Sequence, residues 1–173
     1  KHAVITSVNR DELADGGARI FAATIRHIRQ RCPETSIEVL VPDFQGDWQA
    51  LKTVMEAGPD ILNHNIETVP RLYPIMRPQA THERSLDLLR RAAQLSPAST
   101  KSGMMLGAGE QRQEVELTLR QLADVGCAIL TLGQYLSPSS EHVPIDRFLH
   151  PDEFRELGDF ARDLGFKHVE SGP

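Results

Sequence analysis

The chain has 173 residues, of which 40% are apolar and 25% charged, with a formal net charge of −5; these are the values of an ordinary globular protein. The negative charge argues against a nucleic-acid partner, because such partners are usually bound through a basic face. No apolar run approaches the roughly 18 residues that span a bilayer and no secretory signal is visible, so we expect neither a membrane partner nor export.

Strand-like runs alternate with helix-like runs along the whole chain. The predicted strands are residues 2–8, 36–41, 61–67, 100–106, 128–135 and 167–171. Between them, apolar residues at helical spacing predict five helices. Their leading apolar residues are Phe21, Trp48, Leu86, Val115 and Phe154.

This alternation predicts a parallel sheet with right-handed crossovers, which is either an open doubly wound sheet or a (β/α) barrel. The chain begins and ends next to a predicted strand, and exposed parallel edges are unusual. We therefore predict one domain over residues 1–173, a partial (β/α)6 TIM-like barrel that a strand upstream of Lys1 would complete.

Polar side chains are concentrated where the third predicted strand ends. With a period of two, Asn63, Asn65 and Glu67 share one face, and the residues between them share the other. Barrel interiors are usually filled with branched apolar side chains, so three polar residues on one face are costly unless they bind something. A polar strand end that only caps a loop is the alternative, and we favour binding.

The fourth predicted strand contains a lysine among small and apolar residues and then runs into a glycine-rich turn. Lys101 is expected to pair with Glu67 or with the carboxylate of a ligand. In the turn, Gly107 and Gly109 precede Glu110, and a helix follows. Such glycines permit a ligand to approach the backbone, although a sharp turn without a ligand needs the same residues.

Residues 137–150, after the fifth predicted strand, form a polar loop that contains His142, Asp146, Arg147 and His150. Loops at the carboxyl ends of strands often contact substrates; a solvated connection is the simpler interpretation for each single residue.

The sequence predicts no metal site in this segment. Its seven histidines are scattered, and neither H-x-x-x-H nor C-x-x-C spacing occurs. Cys32 and Cys127 stand alone, so we expect packing residues in a reducing, cytoplasmic setting. No Walker loop, Rossmann fingerprint or nucleophile elbow is present.

Several motifs together resemble the lipoyl synthase family in their order and spacing. They are T-S-V-N-R-D at 6–11, V-P-D-F at 41–44, N-H-N-I-E-T-V at 63–69, T-K-S-G at 100–103, T-L-G-Q-Y at 131–135 and V-E-S-G-P at 169–173. The resemblance covers essentially the whole chain, and the third and fifth motifs are the most specific to that family.

The resemblance implies a barrel of the radical S-adenosylmethionine (radical SAM) type that contains about strands 2 to 7 and lacks the first β/α unit. It implies S-adenosylmethionine and two [4Fe–4S] clusters as cofactors, with all cluster ligands outside this chain. Cleavage of S-adenosylmethionine gives a 5′-deoxyadenosyl radical that takes hydrogens from C6 and C8 of a protein-bound octanoyl-lysine, and the auxiliary cluster supplies two sulfur atoms. The implied partners are an octanoylated lipoyl-carrier protein and an electron donor such as ferredoxin or flavodoxin, in the cytoplasm or in an organelle. We expect the segment to be inactive alone.

The resemblance also implies roles for residues of this chain, and a channel for the octanoyl chain beside them that we expect to be apolar. Ser7 and Asn9 stand where the methionine amino group is held, Glu67 with Asn65 would bind the ribose hydroxyls, and Lys101 would bind the methionine carboxylate. The adenine wall would be formed by Met105, Gly107, Gln134 and Tyr135. His142 and Arg147 would face the substrate or the auxiliary cluster, and no catalytic residue is assigned.

Three alternatives remain. Another radical enzyme of the sulfur-inserting or methylating kind, similar to biotin synthase, would share this barrel and differ in its upstream cysteines. A relative that only binds would keep the barrel without clusters. A phosphate-binding barrel enzyme would use Lys101 and the turn at Gly107.

Overall fold

The computed structural model describes every residue from Lys1 to Pro173 and contains one sheet of six parallel strands. The strands are β1 His2–Thr6, β2 Ser36–Leu40, β3 Ile61–Asn63, β4 Ser99–Leu106, β5 Ile129–Gln134 and β6 His168–Ser171. They lie in the sheet in the order in which they follow in the chain. A doubly wound sheet reverses its strand order at a switch point, so this order excludes that alternative. The fold is a partial α/β barrel.

The helices follow the strands as predicted, with one addition. They are α1 Ala18–Arg31, α2 Trp48–Glu56, α3 Tyr73–Met76, α4 His82–Leu95, α5 Arg112–Asp124 and α6 Pro151–Asp163, with 3₁₀ turns at Phe44–Gly46 and Pro70–Leu72. Short polar side chains cap two of these helices at their N-termini. The Asp47 side chain accepts hydrogen bonds from first-turn amides of α2, and the Thr81 side chain accepts one from Arg84 N in α4. The sequence did not predict α3. No helix combines the length and the apolar character needed to cross a membrane.

The outer face of the sheet packs on the helices, as the burial pattern of β4 demonstrates. Thr100, Ser102, Met104 and Leu106 are buried against the helix layer, and the residues between them are partly exposed on the inner face. The outer face supplies the core, which includes Val39, Leu62 and Leu130. The inner face is therefore free to carry polar groups.

Two predicted strands extend two or more residues beyond the observed carboxyl ends. The third was predicted to reach Glu67, but β3 ends at Asn63 and rejoins the sheet only at a bridge between Glu67 and Met104. Glu67 has a φ of 66°, in the left-handed region, which interrupts regular pairing. The first strand ends at Thr6 and not at Val8, since no residue beyond Thr6 pairs with β2.

Candidate functional site

A cavity of about 830 Å³ opens at the carboxyl ends of β1, β2 and β3. Its walls include four of the residues predicted to bind the cofactor, Ser7, Asn9, Asn65 and Glu67. Most of the other lining residues are also polar. Its position agrees with the rule that ligands bind at the carboxyl ends of parallel strands.

One wall of the cavity is a strained loop after β2. Phe44, Gln45 and Gly46 all have positive φ values, of 49°, 51° and 84°, and this conformation is costly for the first two residues. Phe44 is buried, and a Cβ atom at Gly16 would lie 2.9 Å from its ring. Glycine at position 16 thus lets the loops that follow β1 and β2 pack together. This contact holds Gln45 at the cavity wall.

The charged groups of the cavity fall into two kinds. Arg84 Nε lies 2.7 Å from Asp43 Oδ2, so these two charges compensate each other. Glu67 and Arg77 also line the cavity, and neither forms an ion pair. The pKa of Glu67 is raised above its usual value because the carboxyl group is buried. A hydrogen bond from Asn65 and the positive charge of Arg77 both lower this pKa, but burial has the larger effect. Asp11 also lines the cavity without an ion-pair partner, so the cavity presents two unpaired carboxylates, Asp11 and Glu67, and one unpaired guanidinium.

Asn65 reaches its position because the facing residue of β4 has no side chain. A Cβ atom at Gly103 would lie 2.9 Å from Asn65 Oδ1. The T-K-S-G motif thus ends in a glycine that gives the Asn65 amide room beside Glu67.

His64 forms the back of the cavity and was not assigned a role from the sequence. Its Nδ1 lies 2.9 Å from Val41 O and its Nε2 lies 3.0 Å from Ser85 Oγ. A carbonyl only accepts, so Nδ1 carries the proton and Nε2 accepts from the Ser85 hydroxyl. Complete burial lowers the pKa of His64 to about 4, which keeps the ring neutral. His64 therefore links the end of β2 to α4.

The structure contradicts the predicted pairing of Lys101 with Glu67. Lys101 Nζ lies 2.8 Å from Glu38 Oε1 on the inner face of the sheet, and Lys101 does not line the cavity. Glu38 also accepts from Asn63 Nδ2 at 3.2 Å and contacts His2 Nε2 at 3.3 Å. The lysine is thus engaged in a structural network. The signal that sequence reasoning overlooked was Glu38, an acid in an otherwise apolar strand.

The turn at Gly107 satisfies its own amides. The Glu110 carboxylate accepts from Gly107 N at 2.6 Å and from Ala108 N at 3.0 Å. Gly107 has a φ of 106°, and a Cβ atom there would collide with Arg147 O and Gln134 Nε2. These two amides are therefore not available to a ligand. Here the glycine permits a close approach between two loops.

The remaining residues predicted for the adenine wall do not line this cavity. Gln134 Nε2 donates to Arg147 O, and Gln134 Oε1 accepts from Leu149 N. The hydroxyl of the buried Tyr135 donates to Val143 O at 2.8 Å. Both side chains therefore hold the 136–150 loop in place. Met105 is closer, since its N–H donates to Glu67 O at 2.8 Å.

The two residues predicted to face the substrate are also outside the cavity. The Arg147 guanidinium donates two hydrogen bonds to Glu153 of α6, at 2.8 and 2.9 Å. His142 Nδ1 lies 2.9 Å from Ser139 Oγ in the exposed loop.

No group of three or more His, Cys, Asp and Glu side chains in the chain is arranged to hold a metal ion. Cys127 is buried, and burial raises the pKa of its thiol to about 12, which disfavours the thiolate that binds metals. Cys32 is exposed at the end of α1, so the expectation that it packs in the core is wrong.

Comparisons with known proteins agree with this architecture. A family model described as "Radical SAM superfamily" matches residues 1–122. Among solved structures, methylornithine synthase has a TM-score of 0.71 at 14% identity, covering 98% of this chain and 56% of its own. Coproporphyrinogen III oxidase from Escherichia coli, a radical SAM enzyme, also has a TM-score of 0.71, at 13% identity, covering 95% of this chain and 41% of its own. At such identities these two structures support the fold alone.

Curated relatives are much more similar in sequence. The chain is 57% identical to the lipoyl synthase of Rubrobacter xylanophilus, 56% to that of Roseiflexus sp. and 54% to that of Chlorobaculum parvum, in each case over its full length. It spans 54%, 58% and 59% of the length of these relatives, respectively. The resemblance drawn from the motifs is thus confirmed over the whole chain.

Proposed function

This chain belongs to the radical SAM superfamily, and from that premise we propose that it serves as a lipoyl synthase. The proposed reaction inserts two sulfur atoms, at C6 and C8 of a protein-bound octanoyl-lysine. The identity of 54–57% to three lipoyl synthases supports this choice over a biotin synthase-like enzyme. We further propose that residues 1–173 are one barrel domain, since a single sheet joins all six strands.

The observation that carries the proposal is that Glu67 and Arg77 line a polar cavity at the carboxyl ends of the strands without ion-pair partners. S-adenosylmethionine has ribose hydroxyls that a carboxylate binds and an amino-acid part with one positive and one negative group. Glu67 and Arg77 offer the opposite charges, and about 830 Å³ lies within the usual range of ligand pockets. The residues present therefore fit this cofactor.

Four polar residues of the cavity have a role in this proposal. Glu67 would accept from both ribose hydroxyls, and Asn65, which bonds Glu67, would orient its carboxylate. Ser7 and Asn9, exposed at the cavity mouth, would bind the amino group. When bound, the cofactor supplies the radical chemistry, and this chain contributes position and exclusion of water.

The clusters require ligands that this chain does not contain. Four-iron clusters are held by several thiolates, and here one cysteine is buried as a thiol and the other is exposed at the end of α1. We propose that other parts of the protein bind both clusters and that residues 1–173 alone are inactive. An octanoylated lipoyl-carrier protein and a reductant such as ferredoxin or flavodoxin would be the partners, in the cytoplasm or an organellar matrix.

Turnover by the complete protein tests the proposal. The protein is reconstituted anaerobically with iron and sulfide and supplied with S-adenosylmethionine, a reductant and an octanoylated carrier domain. Mass spectrometry should detect two sulfur atoms added to the octanoyl group. Cofactor cleavage without any sulfur transfer to this carrier would contradict the proposal.

A second measurement tests the role of Glu67. Glu67→Ala should weaken S-adenosylmethionine binding, measured by calorimetry, at least about tenfold, since a charge-assisted hydrogen bond contributes about 1.5–3 kcal/mol. The cluster absorbance should be unchanged. Glu34→Ala, at an exposed position outside the cavity, is the control. Equal affinity of the two variants would remove Glu67 from the site.

A further inference from the structure

We infer that Gln45 and Gln79 bind the amide bond that joins the octanoyl chain to the lysine of the carrier protein. The inference rests on the function proposed above and names the residues that recognise the second reactant. Neither glutamine was singled out from the sequence. Both belong to a part of the cavity wall that the proposed cofactor site leaves unused.

The cavity has a second polar wall, apart from the residues proposed to hold the cofactor. This glutamine wall consists of the turn after β2 and the connection before α4, and it is lined by Asp43, Gln45, Gln79 and Arg84. The cavity volume, about 830 Å³, is near the upper end of the range for ligand pockets. Because hydrogen transfer requires near contact between the reactants, the octanoyl chain must enter the same cavity as the cofactor. The glutamine wall is the part of the cavity left for it.

A chain of hydrogen bonds joins the two segments of the glutamine wall. Asp43 Oδ1 accepts from Gln45 N at 2.9 Å, and Asp43 Oδ2 accepts from Arg84 Nε at 2.7 Å. Arg84 Nη2 in turn donates to Gln79 O at 2.8 Å. Gln45 has a φ of 51°, and such strained conformations are concentrated at ligand sites. The two glutamines therefore hold defined positions on one wall.

The side-chain amides of both glutamines are free to bind a ligand. The hydrogen bonds of the wall use the backbone groups of Gln45 and Gln79, and neither side-chain amide bonds another protein atom. Both residues are exposed and line the cavity. Each side-chain amide offers two N–H donors and one acceptor oxygen.

The glutamine wall favours a neutral polar group. Asp43 and Arg84 compensate each other's charge at 2.7 Å, so the free groups of the wall are the two neutral amides. The bond between the octanoyl chain and lysine is also a neutral amide, with one N–H donor and one carbonyl acceptor that two glutamines can satisfy. Free octanoate is an anion and an octanoyl thioester has no N–H group, so neither matches this wall.

Two peptides separate recognition of the amide from general binding of the chain. One contains Nε-octanoyl-lysine, and in the other, methylene groups replace the N–H and C=O of that amide. Both are titrated by calorimetry into the reconstituted complete protein, saturated with S-adenosylhomocysteine so that no reaction occurs. Gln45→Leu and Gln79→Leu should each lower the ratio of the amide-peptide affinity to the all-carbon-peptide affinity by about 3- to 10-fold, the effect of one neutral hydrogen bond.

A matched control and a second ligand make the result specific. Gln49→Leu removes an exposed glutamine of α2 that does not line the cavity, and it should leave the ratio unchanged. Binding of S-adenosylhomocysteine itself should be the same in all three variants as in the wild type. Gln79 lies outside the strained turn, so Gln79→Leu decides the test even where Gln45→Leu disturbs that turn.

An unchanged ratio in Gln79→Leu, or an equal fall in Gln49→Leu, would overturn the inference. Failure of the proposed function would look different, because the wild-type protein would then bind neither peptide.

Discussion

The Lys101–Glu38 pair offers a quantitative test of the inner-face network. Lys101→Met removes the ammonium group and leaves the Glu38 carboxylate, whose side chain is only 5% exposed, with Asn63 and His2 as its remaining partners. Breaking a buried ion pair by removing one partner costs about 3–5 kcal/mol. Because the Lys101 side chain is 26% exposed, we expect the lower end, about 3 kcal/mol of the free energy of unfolding.

The double variant isolates the interaction itself. Glu38→Gln removes the charge that Lys101→Met leaves unpaired, so the double variant should be less destabilised than Lys101→Met alone, by about 2 kcal/mol. Urea unfolding of the wild type, the two single variants and the double variant at pH 7, fitted with one shared denaturant slope, gives the coupling energy. The account would be wrong if the two single effects simply add, or if Lys101→Met costs less than about 1 kcal/mol.

Two further predictions concern His64 and Gly107. Burial lowers the pKa of His64 from 6.5 to about 4. As the pH falls, the unfolded chain therefore binds a proton at this histidine before the folded chain does. The free energy of unfolding should fall by up to about 3 kcal/mol between pH 6.5 and pH 4. His64→Gln should remove that part of the slope in urea midpoints, and an unchanged slope would contradict it. Gly107→Ala should lower the free energy of unfolding by about 3 kcal/mol or more, because φ is 106° and the new Cβ atom would collide with backbone. Gly165→Ala is the control: φ is 96° there, but the Cβ atom would enter open space, so the loss should be only about 1 kcal/mol. Thermal unfolding measures the stability of both variants, and equal losses of stability would contradict the predicted collision at Gly107.

The fold was predictable because its signals are local. Apolar stripes at helical spacing located α1, α2, α4, α5 and α6, and strict alternation required a parallel sheet. The strand order then removed the doubly wound alternative. The end of β3 was not predictable, because the left-handed φ of Glu67 depends on its bridge to β4 and not on its neighbours in sequence.

The site was predictable in part for the same reason. Ser7, Asn9, Asn65 and Glu67 follow strand ends, so topology alone brings them together. The pairing of Lys101 with Glu67 was wrongly predicted because its partner, Glu38, is on a strand that is not adjacent to it in the sheet. Arg77 lies in a proline-containing connection without periodicity, and only the folded chain brings it to the cavity.

The central claim is that the cavity binds a sulfonium nucleoside through Glu67. A crystal structure of the complete protein with S-adenosylmethionine tests it most directly. We predict that the nucleoside lies at the carboxyl ends of β1, β2 and β3, with both ribose hydroxyls within hydrogen-bonding distance of the Glu67 carboxylate. A nucleoside bound elsewhere, with Glu67 facing bulk solvent, would contradict the account.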